Sequence, residues 1–225
     1  MNGDIQAAID VASNGDTIQL AAGQYDITTT IDPGGKQVTI LGTVDGNGDP
    51  TSILSGGGAF RVLICQSGET STTVFQNLVI QNGYRSGSGG GGGMYNNGSS
   101  PTLTNCTFAD HSADIGGGGM SNSSSSPTLT DCNFCGNTTS GSGNRNVQGD
   151  IDASSSGNLL LANCNPGDAN FDLEINRGDI IYVVGRWKAT SVLNADINQD
   201  GVVNIRDLVF ILINFAGTTD DTPAD

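Results

Sequence analysis

GGGMYNNGSSPTLTNCTF, residues 91–108, returns 26 positions later as GGGMSNSSSSPTLTDCNF, residues 117–134, with 13 of the 18 positions identical. Each copy ends in apolar residues at alternating positions, and Leu103, Cys106 and Phe108 correspond to Leu129, Cys132 and Phe134. A period of two marks a strand with one face turned inward. A unit this short cannot bury its own apolar face, so repetition implies stacked coils that share a continuous core. Fainter copies extend the pattern in both directions. VFQNLVI (74–80) places Phe75, Leu78 and Ile80 in the inward register, and LLLANC (159–164) places Leu161 and Cys164 there. The expected architecture is all-β, a parallel β-helix solenoid of about six rungs, with successive rungs about 4.8 Å apart. Asn77, Asn105, Asp131 and Asn163 recur at one position, where stacked side chains can form a ladder of hydrogen bonds along the axis.

Outward from the repeat, DIQAAIDVAS (4–13) reads as a short amphipathic helix. Asp4 can cap it, Ile5, Ala8, Ile9 and Ala12 share a face, and Asn14-Gly15 stops it. Placed over the first rung, such a helix blocks edge-to-edge strand pairing. The runs DTIQLAAGQYDI, KQVTILG and RVLIC are strand-like, with Gly, Pro and Asp between them. Residues 138–158 are poor in apolar residues and read as a long loop or a degenerate last rung. The stretch IQAAIDVASNGDTIQLAAGQYDI, the VTILG run and the GGGM…PTLTNC repeats resemble right-handed parallel β-helix proteins of the pectin-lyase-like superfamily. That resemblance covers about residues 4–164 and implies a fold, since one such fold hosts many activities.

Composition narrows the function. The 225 residues hold 34 glycines and only 14% charged residues, with a formal net charge of −15 and a pI near 4.1. So acidic a chain is a poor partner for nucleic acid, whose phosphates need clustered Lys and Arg. No apolar run approaches the roughly 18 residues of a membrane span. The start, MNGDIQAAIDV, lacks the basic and apolar regions of a secretory signal, so the signal is expected to have been removed or the chain to be a fragment. Five cysteines form no dense disulfide framework, and Cys106 and Cys132 fall in the inward register as core thiols.

A second duplication lies in the C-terminal quarter. DANFDLEINRGD (168–179) aligns with DINQDGVVNIRD (196–207) at an offset of 28, and each leads into an apolar run, IIYVVGRW or LVFILINF. Calcium takes six to eight oxygens, which a 12-residue loop supplies from positions 1, 3, 5, 7, 9 and 12. Those positions are Asp168, Asn170, Asp172, Glu174, Asn176 and Asp179 in the first loop. In the second they are Asp196, Asn198, Asp200, Val202, Asn204 and Asp207, with Val202 offering its backbone carbonyl. Leu173 stands where the sharp turn favours the Gly found at Gly201, so the first site is expected to be the weaker. A calcium loop plus one following helix, duplicated, with Asp at position 12, resembles a dockerin over about residues 167–217. The resemblance implies a cohesin-like partner. Positions 10 and 11 hold Arg177-Gly178 and Ile205-Arg206 rather than the Ser-Thr common in cellulosomal dockerins, so a partner of that familiar type is not implied.

Proteins resembling the β-helix often cut acidic polysaccharides, using paired carboxylates or an Arg or Lys base. Within residues 1–164 the compact polar cluster is Asp110-His111-Ser112-Ala113-Asp114, and the candidate bases are Arg61, Arg85, Arg145 and Lys36. Asp110 aligns with Asn82 one rung earlier and Gly136 one rung later, so no carboxylate stacks on it, and a solvated turn is the expectation for the cluster. The Gly runs 89–93 and 116–119 read as tight corners, and Asp45-Gly46-Asn47-Gly48-Asp49 as a plain turn. The expected organisation is a β-helix over 1–164, a dockerin-like calcium module over 165–217 and an acidic tail over 218–225. The expected function is that of a secreted or cell-surface scaffold that binds glycan or another surface and is attached through its calcium module. The alternative is a polysaccharide lyase or glycoside hydrolase carrying a dockerin.

Overall fold

The structure, a computed structural model, describes residues 4–160, and residues 4–158 lie in one compact unit, Met1–Asn158. It opens with helix α1 (Ile5–Val11). The strands follow in chain order as β1 (Thr17–Gln19), β2 (Gly23–Asp26), β3 (Thr39–Leu41), β4 (Ser52–Ser55), β5 (Leu63–Cys65), β6 (Val74–Gln81), β7 (Tyr84–Arg85), β8 (Met94–Asn97), β9 (Thr102–Ala109), β10 (Ser112–Ala113), β11 (Met120–Ser123), β12 (Thr128–Thr130), β13 (Asn133–Cys135), β14 (Thr138–Thr139) and β15 (Val147–Gln148). The pairings between these strands are parallel, and the chain winds through about five turns of a β-solenoid. The sixth expected rung rests on residues 159–164, most of which lie outside the described residues.

Three sheets form the walls. The first runs β1-β3-β6-β9-β13, with β2 and β4 joining alongside and β12 on β9; the second runs β7-β10-β14; the third runs β5-β8-β11-β15. Register follows the sequence repeat, so Phe75 pairs with Leu103, Leu78 with Cys106 and Ile80 with Phe108. These residues and their counterparts Leu129, Cys132 and Phe134 fill the interior at 1% exposure or less, and the rings of Phe108 and Phe134 stack with centroids 4.7 Å apart. The alternation expected of residues 91–134 is therefore the observed core. Residues 138–158 supply β14 and β15, which pair with β10 and β11 as a degenerate rung.

Helix α1 matches its sequence signals. Asp4 accepts the amide of Ala7 at 3.1 Å, and Ile5 and Ile9 are buried against the core.

The corners explain the recurring asparagines. The first half of β6 pairs with β3 and the second half with β4, so the strand turns at Asn77. Asn77, Asn105 and Asp131 all occupy the left-handed backbone region, at φ 58°, 49° and 52°. Asn and Asp enter that region more readily than other side-chain-bearing residues. Asn105 donates from Nδ2 to Asn77 Oδ1 at 3.0 Å, one step of the expected ladder. Asp131 breaks the expectation of an unbroken stack, because a carboxylate has no hydrogen to pass onward. Asn163 lies outside the described residues. A second ladder, on the repeat-matched Asn96 and Asn122 (2.9 Å), runs along the third sheet.

Candidate functional site

The cluster at 110–114 is the first place to seek chemistry, and its geometry is architectural. Asp110 shares the left-handed region with Asn82 one rung earlier and Gly136 one rung later, at φ 55°, 52° and 63°. The column Asn-Asp-Gly is thus a backbone requirement, which accounts for Asp110 without catalysis. His111 departs from the expected solvated turn: it is completely buried. Its Nδ1 accepts the amide of Gly83 at 2.8 Å, and Nε2 lies 3.0 Å from the carbonyl of Ile80. An acceptor at Nδ1 assigns the proton to Nε2, which donates to Ile80.

One rung on, Asn137 performs the same task. Its Oδ1 accepts the amide of His111 at 3.0 Å and its Nδ2 donates to the carbonyl of Phe108 at 3.0 Å. Asn158 repeats the pattern on Cys132 and Leu129. A neutral imidazole with one acceptor and one donor imitates a carboxamide, so His111 is a rung-to-rung brace. Burial pushes its pKa down to about 3, against the smaller opposing effect of its backbone bonds. The glycines beside these braces have a packing cause. A Cβ on Gly93 would sit 2.6 Å from His111 Nε2, and one on Gly119 would sit 3.1 Å from Asn137 Nδ2.

Asp114 is also occupied. Tyr84 donates its hydroxyl to Oδ1 at 3.1 Å and Gly87 its amide to Oδ2 at 2.8 Å, and the carboxylate pushes the Tyr84 phenol up. These bonds tether the loop that follows Arg85. Arg85 itself points the search elsewhere, because it lines a groove that none of Asp110, His111 and Asp114 lines. The four candidates do not converge.

That groove, about 550 Å³, lies on the third sheet. Ile64 pairs with Tyr95, and Ile31 bridges to Leu63, so Asp32, Ile64 and Tyr95 stand outward in a row one rung apart. Thr30 and Gln66 flank the row, and Arg85, Ser88 and Gly89 form a wall. Arg61 holds that wall in place. Its Nε donates to the carbonyl of Gly91 at 2.8 Å and its Nη2 to that of Gly90 at 2.6 Å, while its guanidinium carbon lies 4.7 Å from the centre of the Tyr95 ring. The side chain is 8% exposed. Burial, then the neighbouring Arg85 charge, pushes its pKa down to about 10. Asp32, facing the same groove, has its carboxyl raised by burial, with Glu69 adding to the rise and bonds from Gly34 and Gln66 opposing it. Sequence reasoning missed Asp32 and Tyr95 and reached Arg61 only as one of the candidate bases; these residues are far apart in the chain and converge only through the rung register.

Glu69, a buried carboxylate where Asp32 is half-buried, is structural. Glu69 accepts from the amides of Gly35 (2.8 Å) and Ser67 (2.9 Å) and from Ser99 Oγ (2.8 Å). Burial works to raise its carboxyl, and those bonds outweigh it and hold the group below the ordinary range. Asp45 likewise turns its carboxylate onto the amides of Asn47 and Asp49, the plain turn expected. Cys65, Cys106 and Cys132 are free, buried thiols.

Among the described residues no group of three or more His, Cys, Asp or Glu could hold a metal, and no helix is long and apolar enough to cross a membrane. The two loops expected to bind calcium, 168–179 and 196–207, and the segment expected to meet a cohesin-like partner, 167–217, lie outside the described residues. No family model, curated protein or solved structure matches the chain.

Proposed function

We propose that the chain is an extracellular β-helix scaffold that binds glycan in the groove of its third sheet and is attached to a cohesin-like partner through a calcium-binding module at 165–217. The observation that carries the glycan reading is the groove itself. It offers an aromatic ring fixed by Arg61 and the planar polar ends of Gln66 and Arg85, with Thr30, Asp32 and Ser88 at its margins. Binding sites of this kind combine apolar surface with a few placed polar groups that fix orientation. Calcium is proposed from the spacing of the oxygen ligands in the two loops, and it would supply the charge neutralisation that lets their seven carboxylates approach one another.

One observation favours an enzyme as the second reading. Asp32, with its raised carboxyl, and Arg85 face the same groove, and perturbed acids in clefts are candidates for proton transfer. The experiment that separates the readings incubates the full chain with pectate, alginate and xylan in calcium. It follows unsaturated products, new reducing ends and retardation in affinity electrophoresis. Retardation without product is expected. Product formation abolished by Asp32→Asn or Arg85→Ala would make the protein a polysaccharide-degrading enzyme. Chelation should lower the helical circular-dichroism signal of the full chain, and a signal indifferent to chelator would remove the calcium module from the proposal.

A further inference from the structure

Two guanidinium groups lie in one groove of a protein that is strongly acidic overall, and no ion pair neutralises either among the described residues. Arg61 is committed to the loop carbonyls and the Tyr95 ring. Arg85 is exposed, and its side chain makes no hydrogen bond or ion pair with any described residue. The wall that carries Arg85 is braced twice, by Asp114 on the amide of Gly87 and by Arg61 on the carbonyls of Gly90 and Gly91. A fork of donors on a braced wall, beside a second uncompensated cation, is a preorganised receptor for an anion.

We infer that the saccharide bound in this groove carries an anionic group, a carboxylate or a sulfate, and that Arg85 takes that group directly, with no metal ion between them. The inference rests on the glycan reading above and names the ligand's chemistry. The direct contact follows from the donor set. Asp32 is the sole carboxylate among the described residues that line the groove, whereas calcium needs six to eight oxygens, and two guanidinium charges repel a divalent cation. Arg61 spends Nε and Nη2 on the loop and adds its charge to the field in the groove.

The test is a titration of the full chain with two matched pairs of probes. The first is tetragalacturonate against its carboxyl-reduced neutral counterpart. The second is dextran sulfate against dextran. Each is measured at low and high salt, with calcium and with excess chelator. The expected result is binding of an acidic probe at least about tenfold tighter than its neutral counterpart, weakened by salt and indifferent to chelator, since an exposed charged contact is screened. Arg85→Gln should remove that preference, and Arg85→Lys, which keeps the charge and loses the fork, should fall between. Unchanged thermal melting of both variants shows that the fold is intact. The pair that shows the preference identifies carboxylate or sulfate. Equal binding of acidic and neutral probes would overturn this inference and leave glycan binding standing. Binding of no probe would overturn both. Loss of acidic binding in chelator would overturn the direct contact.

Discussion

The turn around His111 and the groove around Arg85 invert what their residues advertise. The turn concentrates Asp110, His111 and Asp114, the densest set of catalytic residue types in the solenoid, yet His111 and Asp114 spend their polar atoms on the protein's own backbone and on Tyr84. The groove is assembled from Asp32, Arg61, Arg85 and Tyr95, which no local pattern groups, and it leaves the Arg85 side chain facing solvent. In a stacked coil every buried amide and carbonyl at a corner needs a partner. A polar side chain turned inward therefore serves architecture, and one turned outward is available to a ligand.

The comparison breaks most readily at His111. His111→Ala orphans the Gly83 amide and the Ile80 carbonyl and leaves a cavity, so unfolding free energy should fall by about 3–5 kcal/mol in chemical denaturation. His111→Asn, which restores one acceptor and one donor as Asn137 does, should recover most of that. Equal damage from both variants would remove the brace interpretation. Glu69→Gln comes next. Gly35 and Ser67 donate to different oxygens of Glu69, so the NH2 of Gln must oppose one of the two, and a loss of about 1–3 kcal/mol is expected in the same measurement. A neutral outcome would show that the turn does not depend on the charge.

The pH dependence sharpens the same point. Folded His111 titrates at about 3, below its unfolded value of about 6.5. Between those values the unfolded chain binds the extra proton, so the stability gained from a neutral His111 is complete above about pH 6.5 and is lost as pH falls toward 3. The slope from this residue should approach about 1.4 kcal/mol per pH unit. Denaturation midpoints across that window should flatten in His111→Asn, and identical slopes would contradict the burial argument. The smallest effect concerns the corner column. Asp110→Gly should be more stable than Asp110→Ala by about 1 kcal/mol, because only alanine meets the left-handed penalty. Alanine matching glycine in thermal melts would count against a backbone role for that position.

Much of the solenoid is legible in the sequence because its signals are local and repeated. The 26-residue copies fix which residues face inward, and Asp4 with Ile5 and Ile9 fixes the helix. The corner asparagines are legible as a column, but their reason is not, since φ is invisible until the strand is seen to turn at Asn77. His111 misleads because its counterparts one rung away are Gly83, which has no side chain to brace with, and Asn137, and a role shared by His and Asn has no sequence signature. The groove was legible only through Arg61 and Arg85, as candidate bases. Its remaining residues meet through the pairing of Ile64 with Tyr95 and the bridge from Ile31 to Leu63, contacts between residues about 30 positions apart.

The most direct test of the account titrates the wild type, His111→Asn and Arg85→Gln side by side against the same acidic oligosaccharide. The account expects His111→Asn to bind as the wild type does and Arg85→Gln to lose about tenfold or more in affinity while melting normally. Binding lost in a folded His111→Asn protein and retained in Arg85→Gln would place the ligand at the turn and contradict the assignment of the groove.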